Sequence, residues 1–94
     1  MPINDAILAE AVKIYKVLSN MNRIKILYFL ENHEADVSRI VDHVQLSQPI
    51  VSHQLAILYH YQLVTRHKRG KHVYYCLDDP HILEMVDAML GHVS

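Results

Sequence analysis

DVSRIVDHVQLSQPIVSHQLAILYHY, at residues 36–61, contains two stretches with helical spacing of apolar residues, separated by a short polar break. Asp36 is a favourable N-cap for the first stretch. Ser47 is a favourable N-cap for the second, and Pro49 falls in the turn that follows, where its missing N–H costs no hydrogen bond. The segment therefore predicts a short helix over Val37–Val44, a tight turn and a longer helix.

The chain downstream of this segment changes from a helical pattern to one typical of strands. Residues 63–67 have the pattern of a strand, and residues 72–77 form a second strand-like run that is rich in β-branched and aromatic side chains. A polar turn at residues 68–71, with Gly70 near its tip, separates them. Two such runs joined by a short glycine-containing turn predict a β-hairpin.

Three further helices complete the predicted secondary structure. Their apolar residues recur at helical spacing, and their starts carry Asn, Asp or Pro residues that favour a helix N-terminus. They run from Asn4 or Asp5 to about Leu18, from Asn20 or Asn22 to about Asn32, and from Asp79, with Pro80 in the first position, towards the end of the chain. The predicted order is ααααββα, a mainly α-helical fold with a small β-hairpin. A short helix, a turn and a longer helix followed by a hairpin make a winged helix-turn-helix.

The size of the chain favours one domain that pairs with a second copy. Ninety-four residues make a single domain, residues 1–94, and so small a core is often stabilised by oligomerisation. The apolar stripe of the last helix fits either an internal core or a contact with a partner chain. We expect the first and last helices to form the interface of a homodimer.

Composition excludes several other classes of protein. No apolar run approaches the roughly 20 residues that span a bilayer, and the N-terminus lacks a signal peptide, so we expect a cytoplasmic protein. Cys76 is the single cysteine, which excludes an internal disulfide. We expect a buried, inert thiol, and the alternative is an intermolecular disulfide. No nucleophile–base pair, phosphate-binding loop or His-Glu metalloprotease motif is present, so we expect no enzymatic activity.

The net charge is only −1, but the positive charges are clustered. Four of the nine lysines and arginines lie within residues 66–71. In helix-turn-helix proteins the start of the second helix reaches base edges, and basic side chains beside it bind phosphates. The predicted base-reading residues are Gln48, Pro49, Ser52 and His53, and the predicted DNA-binding set also includes the N-cap Ser47. The predicted phosphate donors are Arg66, Lys68, Arg69 and Lys71. The alternative is a polar helix face and a hairpin tip that only contact water.

Two motifs carry a family resemblance. They are LSQPIVSHQLAIL at residues 46–58, and VLSNMNRIKIL at residues 17–27, where a Leu, a polar break and an Arg lead into an Ile-Leu helix. In this order and spacing they resemble the ArsR/SmtB family of bacterial metal-responsive repressors, over nearly the whole chain. The resemblance implies a homodimer that binds double-stranded operator DNA, represses transcription and releases the DNA when an inducer binds.

Asp79, His81 and His92 form the predicted inducer site. His81 and His92 are 11 residues apart, so they share one helix face but lie about 16 Å apart along the axis. Two antiparallel copies of the helix would bring Asp79 and His81 of one chain to His92 of the other. This pattern resembles the C-terminal-helix site of the family's zinc and cobalt sensors. It implies Zn²⁺ as the inducer, with Co²⁺ or Ni²⁺ as alternatives.

Other interpretations of the same residues stay open. The fourth ligand of that family site is expected three residues after His92, beyond Ser94. Asp79 is also a good N-cap, and the helix dipole favours a histidine near a C-terminus. Residues 34–38 contain no thiol, so sensing of arsenic, lead or cadmium there is not expected. The alternative functions are a winged-helix regulator without metal sensing, responding to redox through Cys76 or to another signal, and a module for protein–protein assembly.

Overall fold

The computed structural model describes residues 3–94, which form five helices and three strands. In chain order the elements are α1 (Asp5–Leu18), α2 (Met21–Asn32), β1 (Ala35–Asp36), α3 (Val37–Val44), α4 (Gln48–His60), β2 (Val64–Arg69), β3 (His72–Leu77) and α5 (His81–Val93). The predicted succession of four helices, a hairpin and a last helix is confirmed. The helix ends differ from the predicted ones by no more than two residues.

Side-chain caps determine where the first two helices begin. The carboxamide oxygen of Asn4 accepts a hydrogen bond of 2.8 Å from the backbone N–H of Ile7. The corresponding oxygen of Asn20 accepts one of 3.1 Å from the N–H of Arg23. Each bond satisfies a donor of the first turn that has no partner inside the helix. Asp36 caps α3 in the same way.

The starts of α4 and α5 differ in detail from the predictions. Ser47 occupies the N-cap position of α4, but its side chain makes no capping hydrogen bond. Pro80 occupies the N-cap position of α5 and not the first helical position, so the helix begins at His81. The carboxylate of Asp79 accepts a hydrogen bond of 2.9 Å from the N–H of His81 and therefore still satisfies a donor at this end.

The sheet has a third strand that the sequence did not predict. Residues Ala35 and Asp36 pair antiparallel with Tyr75 and Tyr74 of β3, so the strand order is β1-β3-β2. A strand of two residues is too short for a pattern of its own. It forms because the edge of β3 offers backbone hydrogen bonds and because the pairing buries Ala35 completely. The predicted two-stranded hairpin is corrected to a three-stranded sheet.

The hairpin turn is also shorter than predicted. Arg69 pairs with His72, so Lys68 and Arg69 belong to β2 and the connection consists of Gly70 and Lys71. Gly70 has a φ of +61°, a conformation that a residue without a Cβ adopts at little cost. The wing, defined here as β2, β3 and this turn, therefore holds its basic side chains on regular strands as well as at its tip.

The core lies between the helix-turn-helix, the inner face of the sheet and one face of α5. Burial of apolar side chains at this centre is the main source of stability for the fold. The completely buried large side chains come from α2, α3, α4, β2 and α5, and they are Ile26, Leu27, Ile40, Val51, Leu55, Leu58, Val64 and Leu83.

The terminal helices leave a second apolar surface exposed. The side chain of Tyr15 on α1 is 55% exposed, and that of Met89 on α5 is 60% exposed. The other large apolar side chains exposed on these two helices are Ile7, Leu8, Val12, Leu90 and Val93. We call this set the terminal-helix face. No helix within residues 3–94 has the length and apolar character needed to cross a membrane.

Candidate nucleic-acid interface

The start of α4 presents a polar surface to solvent. Val51, Leu55 and Leu58 turn inward and are completely buried, so the opposite side of the helix faces outward. The four predicted base-reading residues and the N-cap Ser47 lie at this exposed end of α4, and the four are Gln48, Pro49, Ser52 and His53. Their hydroxyl, amide and imidazole groups are those that hydrogen-bond base edges and phosphates.

Arg23 at the start of α2 contacts α4 through a side-chain hydrogen bond to Gln54. Its Nε donates a hydrogen bond of 2.8 Å to Oε1 of Gln54, and its NH1 group donates one of 3.0 Å to the carbonyl oxygen of Val17. Both bonds are partly buried. One guanidinium therefore connects the end of α1, the start of α2 and the middle of α4, and it restrains the direction of the recognition helix.

Arg66 joins the base of the wing to the far end of α4. Its guanidinium carbon lies 4.0 Å from the ring centroid of Tyr59, an attractive cation–π geometry. A hydrogen bond with Tyr75 is the main reason that the pKa of Arg66 is raised above its usual value. Because Arg66 has these partners, it positions the wing as well as adding positive charge to it.

The other three predicted phosphate donors fall into two groups. Arg69 forms an ion pair with Glu34, and its guanidinium lies 4.5 Å from the ring centroid of Tyr74. Lys68 and Lys71 are exposed and have no ion pair within residues 3–94. The two lysines are thus the basic side chains of the wing that are available to a phosphate without breaking an internal contact.

Asp79 and His81 come together at the start of α5. Oδ1 of Asp79 accepts hydrogen bonds from the backbone N–H of His81 and from its ring Nδ1, the latter at 2.7 Å. These bonds lower the pKa of Asp79, with the backbone bond contributing most, and the side-chain bond raises the pKa of His81. Oδ2 of Asp79 and Nε2 of His81 have no hydrogen-bond partner within residues 3–94. Both atoms are available to a ligand.

His92 lies at the other end of α5, in its last turn. At about 1.5 Å per residue the helix separates it from His81 by about 16 Å. A single chain therefore brings two of the three predicted ligands together and leaves the third apart. All three residues are exposed.

The comparison with known families identifies the class of the protein. Residues 20–66, half of the chain, match the family described as "Bacterial regulatory protein, arsR family". The chain belongs to the arsR family. ArsR-family proteins are regulators that bind operator DNA as dimers, and they are not enzymes. The family therefore confirms the predicted winged helix-turn-helix regulator and the prediction that it is not an enzyme.

Relatives and solved structures agree with the ArsR-family membership. The chain is 28% identical to the transcriptional repressor SdpR of Bacillus subtilis (strain 168), over 86% of this chain and 90% of that protein. It is 33% identical to the cadmium resistance transcriptional regulatory protein CadC homolog of Staphylococcus aureus, over 88% of this chain and 69% of that protein. The structure of reduced HlyU from Vibrio cholerae N16961 matches with a TM-score of 0.80 at 29% identity and covers 90% of both chains.

Several contacts of this ArsR-family chain were not predicted from the sequence. Nε2 of His67 lies 2.8 Å from Oε1 of Glu34, and Nδ1 of His72 lies 3.4 Å from Oδ2 of Asp36. Both pairs depend on the unpredicted strand β1, which brings residues more than thirty positions apart onto one surface. Cys76, which was expected to be buried, is half-buried and lies on this same surface.

Proposed function

We propose that this ArsR-family protein is a homodimeric repressor that places the start of α4 in the major groove of an operator and the wing against the adjacent phosphates. The observation that carries the proposal is the exposed polar end of α4 beside a wing that Arg66 holds against Tyr59. In this arrangement Ser52 and His53 read bases, whereas Lys68 and Lys71 add affinity that does not depend on sequence. Residues 1–94 would act as one DNA-binding domain.

Selection of a duplex from a randomised pool, followed by binding assays, tests this assignment of roles. Replacing Ser52 or His53 by Ala should reduce discrimination between the selected duplex and a mismatched one by about 1–3 kcal/mol. Replacing Lys68 by Ala should weaken binding to both duplexes alike. Equal loss on both duplexes for the Ser52→Ala and His53→Ala variants would overturn base reading by α4.

The terminal-helix face supports the homodimer. Its exposed apolar side chains lie together on α1 and α5. Contiguous apolar patches of this kind mark interaction surfaces more often than the free surface of a monomer. A second copy related by a twofold axis would cover this face with its own equivalent surface. The two recognition helices would then lie on one side of the dimer, as a twofold-symmetric operator requires.

We further propose that the repressor senses Zn²⁺, or Co²⁺ or Ni²⁺, through Asp79 and His81 of one protomer and the partner's His92. Carboxylate and imidazole ligands suit these ions, and Oδ2 of Asp79 and Nε2 of His81 are available to them. The name of the Staphylococcus aureus relative, a cadmium resistance regulator, supports a metal signal. A bound ion would supply a link between the two copies of α5.

Release from the operator follows from this link by thermodynamic coupling. The residues of α5 would hold the dimer in a geometry in which the two copies of α4 no longer match successive major grooves. Operator DNA must then weaken metal binding by the same factor by which metal weakens operator binding. Equal metal affinity with and without operator would contradict the coupling.

A titration with Zn²⁺ tests the ligands. The His81→Ala variant should bind one ion fewer per chain than the unchanged protein and should stay on the operator when Zn²⁺ is added. His60→Ala is the matched control, because His60 is an exposed helical histidine with no other predicted ligand near it in sequence. Release of His81→Ala by Zn²⁺ at the unchanged concentration would show that this site is not the sensor.

A further inference from the structure

The outer face of the sheet carries a second group of metal-ligand side chains, separate from Asp79, His81 and His92. Within residues 3–94, one ligand atom each from Glu34, His67 and Cys76 lies within 4.8 Å of the other two. We propose that these three residues form a binding site for a thiophilic divalent ion such as Zn²⁺. The site does not depend on the sensor proposed at α5.

Strand register explains why three distant residues meet. Cys76 of β3 is paired with Thr65 of β2, and His67 follows two positions later, so His67 and Cys76 lie on the same face of the sheet. Ala35 is paired with Tyr75 and points to the opposite, buried face. Glu34, directly before Ala35, therefore lies on the outer face beside Cys76. Strands β2 and β3 contribute His67 and Cys76, and the residue directly before β1 contributes Glu34.

The chemistry of the group fits Zn²⁺. Thiolate, imidazole and carboxylate are all zinc ligands, and three protein ligands leave a fourth position for water or a small molecule. Nε2 of His67 is already 2.8 Å from Oε1 of Glu34. In a tetrahedral zinc site the ligand atoms are about 3.5 Å apart, so the cluster needs only small rotamer changes. The side chains of His67 and Glu34 are 43% and 36% exposed, so an ion can enter from solvent.

The positive charge of Arg69 neutralises the Glu34 carboxylate in the absence of an ion, and a bound metal ion would take over this role. The Arg69 guanidinium is ion-paired with Glu34, the same carboxylate that would ligate the ion. The guanidinium of Arg69 also lies over the ring of Tyr74, and this contact can remain when the ion pair with Glu34 is broken. Metal binding would therefore compete with the Arg69–Glu34 pair and free the guanidinium for other partners. Removing the guanidinium should strengthen metal binding at this site.

Titration with Co²⁺ provides a specific readout. A cobalt–thiolate bond produces a charge-transfer absorption in the near ultraviolet, and Cys76 is the single cysteine of the chain. The site at Asp79, His81 and His92 contains no sulfur and gives no such band. We expect the unchanged protein to show the band, Cys76→Ser to lose it, and His67→Ala and Glu34→Gln to require at least tenfold more Co²⁺. Arg69→Gln should require several-fold less.

Controls separate this proposal from the sensor proposed at α5. His81→Ala should keep the charge-transfer band unchanged, and each variant should keep its helical circular dichroism, which shows that it is folded. Absence of the band in the folded, unchanged protein would overturn the site. A band of unchanged strength in both His67→Ala and Glu34→Gln would also overturn it, because the ion would then bind the thiol alone. Both results leave the sensor proposed at α5 unaffected, because that sensor is tested separately by Zn²⁺-dependent release of operator DNA in His81→Ala.

Discussion

Arg23 donates a hydrogen bond of 2.8 Å from its Nε to Oε1 of Gln54, and so connects the first turn of α2 to the recognition helix. The same guanidinium bonds the carbonyl oxygen of Val17 near the end of α1. Because α1 belongs to the terminal-helix face, the contact links the proposed dimer interface to the proposed DNA-reading helix. A shift of α1 on dimer rearrangement would therefore act directly on α4.

The first prediction concerns this contact. Arg23→Ala should lower the free energy of unfolding by about 1–3 kcal/mol, because it removes both hydrogen bonds and leaves partly buried acceptors without a partner. Gln54→Ala should cost less, since the bond to Val17 remains. Chemical denaturation measures both values. Lys25→Ala, an exposed change on the same helix, is the control and should stay within about 0.5 kcal/mol of the unchanged protein. A cost for Arg23→Ala as small as that of the control would contradict the role of this contact.

The second prediction concerns the wing. Lys68→Ala and Lys71→Ala should each reduce the slope of log affinity against log salt by about 1, because each removes one phosphate contact. Operator binding at several salt concentrations measures the slope. Lys13→Ala removes a lysine on α1 that is paired with Glu10 at 3.1 Å, and its slope should match that of the unchanged protein. Unchanged slopes for both wing lysines would mean that the wing does not contact DNA.

The third prediction concerns the terminal-helix face. Met89→Glu should shift the protein towards monomers, because it places a charge in the apolar surface that a second copy would cover. Light scattering during size-exclusion chromatography measures the mass over a range of concentrations. Ser38→Glu adds the same charge to an exposed position on α3 and should leave the mass unchanged. A dimer of full strength in Met89→Glu would place the interface elsewhere.

The fourth prediction concerns pH and the contact between α2 and α5. The hydroxyl of Tyr28 donates a hydrogen bond to the carboxylate of Asp87. Burial, followed by this hydrogen bond, raises the pKa of Tyr28 from 10.0 to about 12. The folded state thus holds the phenol proton more tightly than the unfolded state does. The stability from this group is fully present below about pH 10 and is lost as the pH rises towards 12.

Denaturation at pH 8 and pH 11, or about these values, tests the sign of this effect. The unchanged protein should lose more stability between the two pH values than Tyr28→Phe, which has no phenol to ionise. Tyr61→Phe is the control, because Tyr61 is an exposed tyrosine at the end of α4. An equal loss in the unchanged protein and in Tyr28→Phe would show that the Tyr28 phenol titrates normally.

Local signals in the sequence were sufficient for the helices and for the polar end of α4. The caps Asn4 and Asn20, the position of Pro49 and the 3.6-residue spacing of apolar side chains act within one or two turns, so they are visible without the fold. The exposure of Ser52 and His53 follows from the same spacing, because the buried positions of α4 determine which positions face out.

Tertiary structure decided the contacts that join distant segments. Strand β1 exists only because β3 offers it hydrogen bonds, and the pairing places Glu34 beside His67 and Cys76. The bond from Arg23 to Gln54 spans 31 positions of the chain, and no local pattern indicates it. The amino-acid sequence by itself determined which segments are helical and which faces are polar, because backbone capping and amphipathic spacing are short-range. Which side chains meet across the sheet and between helices depended on packing and register, which are properties of the whole folded chain.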